Sequence, residues 1–264
     1  LIDNILKKKS CDKLKKILED NYQKYNKFYA NNKTKHKLNY HKDEKLIFNL
    51  HNKHELFLKF ICPNPIFEVV EHFLKQGFYK GTNSTEPVIL KQMTGRTPLK
   101  GGQNQKIHID ARSPGSKFPL LAVIIYGIDE SIKSSSSTRI VPGSHKKPSY
   151  PPDNDNKIKN EIKEINLKKG SALIISGSLW HGGGANEDLN SSWRILATYT
   201  PWFYKQSFDL NKNLPLKYYK KLSFKQKVVL GYTSLPPLDE FTRILSKSKK
   251  PEFAGKNYRL INSK

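Results

Sequence analysis

Three residues of this 264-residue chain have the types and spacing to hold one metal ion: His108, Asp110 and His181. Residues two apart on a β-strand point to the same face, so the imidazole and the carboxylate of His108-Ile109-Asp110 can reach one ion together. A second imidazole from a distant strand, His181, completes a three-ligand face and leaves the opposite positions open. Two histidines and one carboxylate in that arrangement suit iron(II), which must take a cosubstrate and O2 at once. The H-x-D pair alone is unspecific in a chain with eight histidines. The surroundings of His181 sharpen it. Gly170-Ser-Ala-Leu-Ile-Ile-Ser reads as a turn into a buried strand, and Trp180-His181-Gly-Gly-Gly-Ala-Asn186 sets the histidine beside backbone that can approach closely. Arg194, thirteen residues after His181, opens the next apolar strand. A guanidinium there asks for an anion, and a carboxylate gripped by both prongs of the fork is the best partner.

The elements that must position these groups fall into three stretches. Apolar positions at helical spacing (Ile2, Ile5, Leu6, Leu14, Ile17, Leu18) predict a helix within the first 30 residues. Asn64 and Pro65 start a second helix, whose apolar face is Ile66, Phe67, Val69, Val70, Phe73 and Leu74 and which Gly77 ends. From about residue 86 the texture changes to short β-prone runs: Val88–Met93, Lys106–His108, Leu120–Tyr126, Thr138–Val141, Ile162–Leu167, Ala172–Ser176 and Arg194–Pro201. Seven short strands separated by turn residues indicate a sandwich or jelly roll. Tyr150–Lys159 is an excursion between strands, and after Trp202 the pattern turns helical, with Phe224–Leu230 its clearest piece. The chain reads as a single catalytic domain: a mostly helical part over 1–85, a β core over 86–202 and a helical part over 203–264.

Composition sets the outer bounds. The net charge is +24, with 47 Lys and Arg against 23 Asp and Glu, but the excess is nearly all lysine and runs through the whole chain. That distribution describes a solvated surface better than a groove for a polyanion. The longest apolar run, Leu120–Ile128, is too short to span a bilayer. The first residues carry no secretory pattern, and the cysteines Cys11 and Cys62 form neither a metal knuckle nor a disulfide framework, so a cytoplasmic setting is expected. His36, His41, His51 and His54 cluster loosely without ligand spacing; His72 and His145 read as structural, and Trp180 and Trp193 as core.

Four segments in order carry a resemblance: Gln105-Lys-Ile-His108-Ile-Asp110, Thr138-Arg-Ile-Val-Pro-Gly-Ser-His145, Trp180-His181-Gly-Gly-Gly-Ala-Asn186, and Arg194. Together they resemble the phytanoyl-CoA dioxygenase family over about residues 65–232, with a closing Leu222-Ser…Leu230-Gly231-Tyr232 stretch. The resemblance implies a double-stranded β-helix (a jelly-roll, cupin-like core with flanking helices), Fe(II), 2-oxoglutarate and O2. It implies His108, Asp110 and His181 as metal ligands and Arg194 as partner of the cosubstrate's distal carboxylate. Gln105 and Thr138 match positions that contact 2-oxoglutarate in some members. Halogenating relatives replace the carboxylate ligand by a small residue; Asp110 is intact, which favours hydroxylation, desaturation or a related oxidation. Arg112, two after Asp110, shares its face if the strand continues and is equally a candidate substrate contact and a candidate lid salt bridge. Lys106, Arg112, Lys117, Arg139, Lys146 and Lys147 would give the pocket mouth a positive balance, so a small or medium-sized anionic metabolite is the expected substrate. Nucleic-acid demethylases share this chemistry but carry a second arginine six residues after the first, where this chain has Thr200. The remaining alternative is a β-barrel binding protein without turnover.

Overall fold

The computed structural model describes residues 1–31, 44–75, 88–115, 117–131, 136–187 and 192–234, with only the backbone at 26–31. Two β-sheets form the core. The larger has strands in the order β1 (Glu44–Ile47), β2 (Val88–Pro98), β8 (Arg194–Pro201), β3 (Ala122–Gly127) and β6 (Ala172–Ser176). The smaller has the order β5 (Lys163–Ile165), β4 (Thr138–Ile140) and β7 (His181–Gly183). The expected Lys106–His108 strand does not form as such. The segment instead docks on β7 through Gln105 N–H to the Gly183 carbonyl and an isolated bridge in which His108 and His181 exchange both backbone hydrogen bonds at 2.9 Å. It thus serves the smaller sheet as a fourth strand.

Alternation fixes what faces the space between the sheets. Val123 and Ile125 on β3 pair with Ile175 and Leu173 on β6, and Leu167, Ile165, Leu179 and Leu196 pack on them. Every residue of β3 is buried, so this strand is covered on both faces. The opposite face of the smaller sheet carries a second apolar cluster of Ile107, Val141, Ile158 and Trp180, closed by the 3-10 turn Asp155–Glu161.

The chain divides into two compact units, each discontinuous in sequence. One holds residues 1–48 and 93–196, the other 49–92 and 197–264. In the first, α1 (Lys8–Asn31) buries Cys11, Leu14 and Leu18 at three- and four-residue spacing, and its Glu19 accepts a 2.7 Å bond from the Trp193 indole. In the second, α2 (Ile66–Lys75) buries Ile66, Phe67, Val70 and Leu74. Val69, assigned to that face from the sequence, is 52% exposed, because it falls outside the stripe that these four define. The Asn64–Pro65 bond is cis and the helix begins at Ile66, one residue beyond the start read from Pro65; Gly77 lies outside the described residues. Two helices follow, α3 (Leu216–Tyr219) and α4 (Phe224–Val229), the latter with a reciprocal Ser223–Gln226 capping box. Among the described residues no helix is long and apolar enough to cross a membrane.

Candidate metal centre

The bridge between His108 and His181 is what brings the two imidazoles together. Residues directly opposite across an antiparallel pair put their side chains on the same face, and the ring centroids stand 4.5 Å apart. Asp110 follows two residues on, tied down by its own N–H to the Gly177 carbonyl. Its oxygens lie 3.8 Å from His108 Nε2 and 3.6 Å from His181 Nε2. One ligand atom from each of the three falls within 4.8 Å of the others, and among the described residues this is the one such group of His, Cys, Asp or Glu.

Both imidazoles are already oriented for a cation. His108 Nδ1 bonds the Lys106 carbonyl at 2.9 Å and His181 Nδ1 the Leu179 carbonyl at 2.8 Å. A carbonyl only accepts, so Nδ1 carries a proton in each ring, which leaves Nε2, the atom facing Asp110, as the one available to a metal. Burial holds the His181 imidazole below the usual histidine range; Asp110 opposes this, while His108 and Arg96 reinforce it. His181 is therefore neutral near physiological pH, as a ligand must be. Two imidazole nitrogens and one carboxylate, with no fourth His, Cys, Asp or Glu beside them among the described residues, form the donor set that iron(II) accepts while keeping open positions.

Gly182 keeps the two histidine segments in contact. A Cβ there would lie 2.7 Å from the Gln105 carbonyl oxygen and 3.3 Å from that of Lys106. Gly182→Ala must push the 105–108 segment off β7. The expected result is a loss of about 1–3 kcal/mol of stability together with weaker metal binding. Denaturant titration and metal titration of the variant check it; unchanged values in both would show that the segment yields freely.

Arg194 shares the inward face of β8 with Leu196 and is 6% exposed. Its Nη1 donates to the Asp129 carbonyl (2.7 Å) and the Trp193 carbonyl (2.9 Å), and its Nη2 donates to the Ser131 hydroxyl. None of these acceptors is a carboxylate. Burial lowers the guanidinium to about 10, against the pull of nearby Asp129, so it remains charged at neutral pH. Its direct acceptors are all neutral, and the Asp129 carboxylate is itself engaged by Lys15 and the Trp193 N–H, so the interior beside the guanidinium stays attractive to an anion.

Thr138 pairs with Ile165 and Gly183, and Ile140 with His181, so Thr138 also lies on the inward face. Gln105 Oε1 accepts from Gly183 N–H (3.0 Å) and Arg96 Nη2 (3.3 Å). Arg96, itself ion-paired to Glu44, reaches the surroundings of His181 and was missed because the strand read from Val88 stopped at Met93. Arg96 lies past the apolar start of β2, among Lys91, Gln92, Thr94 and Thr97, so it lacked the apolar setting that singled out Arg194. Ser131 had no sequence signal at all.

Other expectations need correction. No strand continues past Asp110; residues 110–115 bend and turn, and Arg112 stands exposed with its carbonyl bonded by the Tyr150 hydroxyl at 2.8 Å. Arg139 does not edge a mouth. It is buried on the other face of β4, bound to Asp155 and the Gln105 carbonyl, both at 3.1 Å. Lys106 and Lys147 are paired with Asp153 and Glu161, and Lys147 also covers the Trp180 ring. His145 is exposed. Of the N-terminal histidines, His36 and His41 lie outside the described residues, and His54 caps a 3-10 turn through Leu56 N–H.

His51 is fully buried, 2.7 Å from Asn213 Oδ1, and burial lowers it from 6.5 to about 4. Between those values the unfolded chain takes up a proton that the folded chain refuses. This contribution is complete above pH 6.5 and is lost as pH falls toward about 4, by up to about 3 kcal/mol. Denaturant unfolding of wild type and His51→Gln across that window should show a steeper loss in the wild type; parallel curves would contradict it.

The comparisons with known proteins converge. The model of the phytanoyl-CoA dioxygenase family matches residues 1–194. The dioxygenase himG of Aspergillus japonicus is 23% identical over 224 residues, covering 74% of this chain and 68% of that protein. The dioxygenase trt7 of Aspergillus terreus is 24% identical over 166 residues, 61% of this chain and 52% of its own length. Among solved structures, HygX from Streptomyces hygroscopicus with nickel, 2-oxoglutarate and hygromycin B bound superposes with a TM-score of 0.59 at 11% identity, over 78% of this chain and 83% of that one.

Proposed function

Because this chain belongs to the phytanoyl-CoA dioxygenase family, the 2-oxoglutarate-dependent iron dioxygenases, we propose that His108, Asp110 and His181 hold its iron(II) and that it hydroxylates a small or medium-sized anionic metabolite, releasing succinate and CO2. The observation that carries the ligand assignment is the convergence of two pre-oriented Nε2 atoms on the Asp110 carboxylate. When bound, the metal and cosubstrate supply the oxidising chemistry, and the protein supplies aim, charge and dryness.

Arg194 is the proposed anchor of the cosubstrate's distal carboxylate. Its existing bonds use Nη1 twice and Nη2 once, which leaves the Nε hydrogen and one Nη2 hydrogen for a carboxylate. Thr138, which shares the inward face of the smaller sheet with His181 through their register on β4 and β7, and Gln105, bonded to Gly183, are the further proposed contacts of the cosubstrate. Retention of the Asp110 carboxylate supports hydroxylation over halogenation. The support for an anionic substrate is narrower than the sequence suggested, since Lys106, Arg139 and Lys147 are committed to acids. Arg112, Lys117 and Lys146 are the exposed cations that remain of that set.

The test is succinate formation by protein reconstituted with iron(II) without oxygen, then exposed to O2 with a library of carboxylate and phosphate metabolites beside their neutral amides. Stimulation by one anionic class, with a hydroxylated product, is the expected result. Stimulation by neutral or cationic compounds alone would overturn the substrate class and leave the chemistry standing.

A further inference from the structure

The strand registers line up four residues in one rung across the inward face of the smaller sheet. His108 is opposite His181, His181 is opposite Ile140, and Ile140 is opposite Lys163. Residues paired directly across strands share a face. Lys163 also precedes by two the residue Ile165, which packs into the cluster between the sheets, so the two registers agree on its direction. Lys163 therefore lies level with the two histidines, two strand spacings or about 10 Å from the His181 backbone. Unlike its neighbour Ile165 it is exposed, so the rung ends in an ammonium at an open margin. Its outward neighbour Glu164 faces the other way, opposite Arg139.

We infer that Lys163 is a specificity-determining residue that binds the anionic group of the substrate, holding it across Ile140 from the metal ligands. The inference rests on the proposed iron site and deepens the anionic-substrate reading. A compact ammonium on a four-carbon stem can swing toward a ligand seated over His181, and it meets that ligand from the side opposite the Asp110–Arg112 segment. Charged groups in a low-dielectric mouth also raise the encounter rate of opposite charges, an effect that salt weakens. The competing role for a lysine on β5, an edge strand of its sheet, is to discourage pairing with another chain.

The two roles separate in a binding measurement without turnover. Wild type, Lys163→Ala, Lys163→Arg and Lys163→Glu are loaded with cobalt(II) and 2-oxoglutarate. The line broadening imposed on dissolved hexanoate, hexyl phosphate and hexanamide is then titrated. The wild type should bind the two anions more tightly than the amide. Lys163→Ala should weaken the anions about fivefold, Lys163→Arg should restore them, and Lys163→Glu should weaken them further, with the amide unaffected throughout. Equal anion affinity in wild type and Lys163→Ala would overturn the role of Lys163 and spare the metal site. Failure of the wild type to retain cobalt would overturn both.

Discussion

Replacing His108, Asp110 or His181 with alanine, one at a time, is expected to abolish turnover and to remove the bound metal while the fold survives. On the proposed assignment each side chain would supply one of three donor atoms, and the other two could not close the gap. Loss of an outer hydrogen-bond partner costs a metal site roughly 10–100-fold; loss of a ligand must exceed that. The fold should persist because the His108–His181 bridge is made by backbone groups, which alanine retains. Asp110 is exposed and its N–H bond to Gly177 is likewise untouched. Removing Asp110 also removes the charge that offsets a divalent ion, so Asp110→Asn should be nearly as damaging as Asp110→Ala. Circular dichroism and metal analysis on the same samples check both halves of the expectation. A variant that keeps full activity would exclude its residue from the ligand set.

The second large effect is at Arg194. Arg194→Ala should weaken 2-oxoglutarate binding by about 2–5 kcal/mol, the range for removing one partner of a buried, hydrogen-bonded charge pair. Arg194→Lys should recover only part of this, because an ammonium cannot reproduce the two-pronged geometry. The substitution has a structural cost as well. The guanidinium holds the Asp129 and Trp193 carbonyls and Ser131, whose hydroxyl in turn accepts from Leu167 N–H. Ser131→Ala provides the control, since it disturbs that network without removing the charge. Titration of 2-oxoglutarate into the metal-loaded variants decides: if Arg194→Ala binds no more weakly than Ser131→Ala, Arg194 is a structural clamp only.

How legible these features were depended on how each is encoded. The strands Ala172–Ser176 and Arg194–Pro201 came out at the boundaries read from the sequence, because both are continuous apolar runs bounded by turn residues. β7 was missed because His-Gly-Gly has neither length nor β-branched side chains; its pairing with β4 makes it a strand. β1, Glu44-Lys-Leu-Ile, was hidden by its polar first half. The grouping of His108, Asp110 and His181 was legible because metal chemistry restricts residue type severely, whereas cations at a pocket mouth can be any lysine or arginine. Arg139 illustrates the difference, since position and charge suggested a rim contact and the β4 alternation turned it the other way. Lys163 illustrates the converse. Nothing in Ile-Lys-Glu-Ile marks it, and only the register through Ile140 sets it level with the histidines.

Counting metal decides whether His108, Asp110 and His181 form one iron site. Wild type and His181→Ala are reconstituted with iron(II) in the absence of oxygen, freed of excess metal, and assayed for iron per chain. The wild type should hold one iron and the variant little, with 2-oxoglutarate raising retention only in the wild type. Equal iron retained by both proteins would place the metal elsewhere and contradict that assignment.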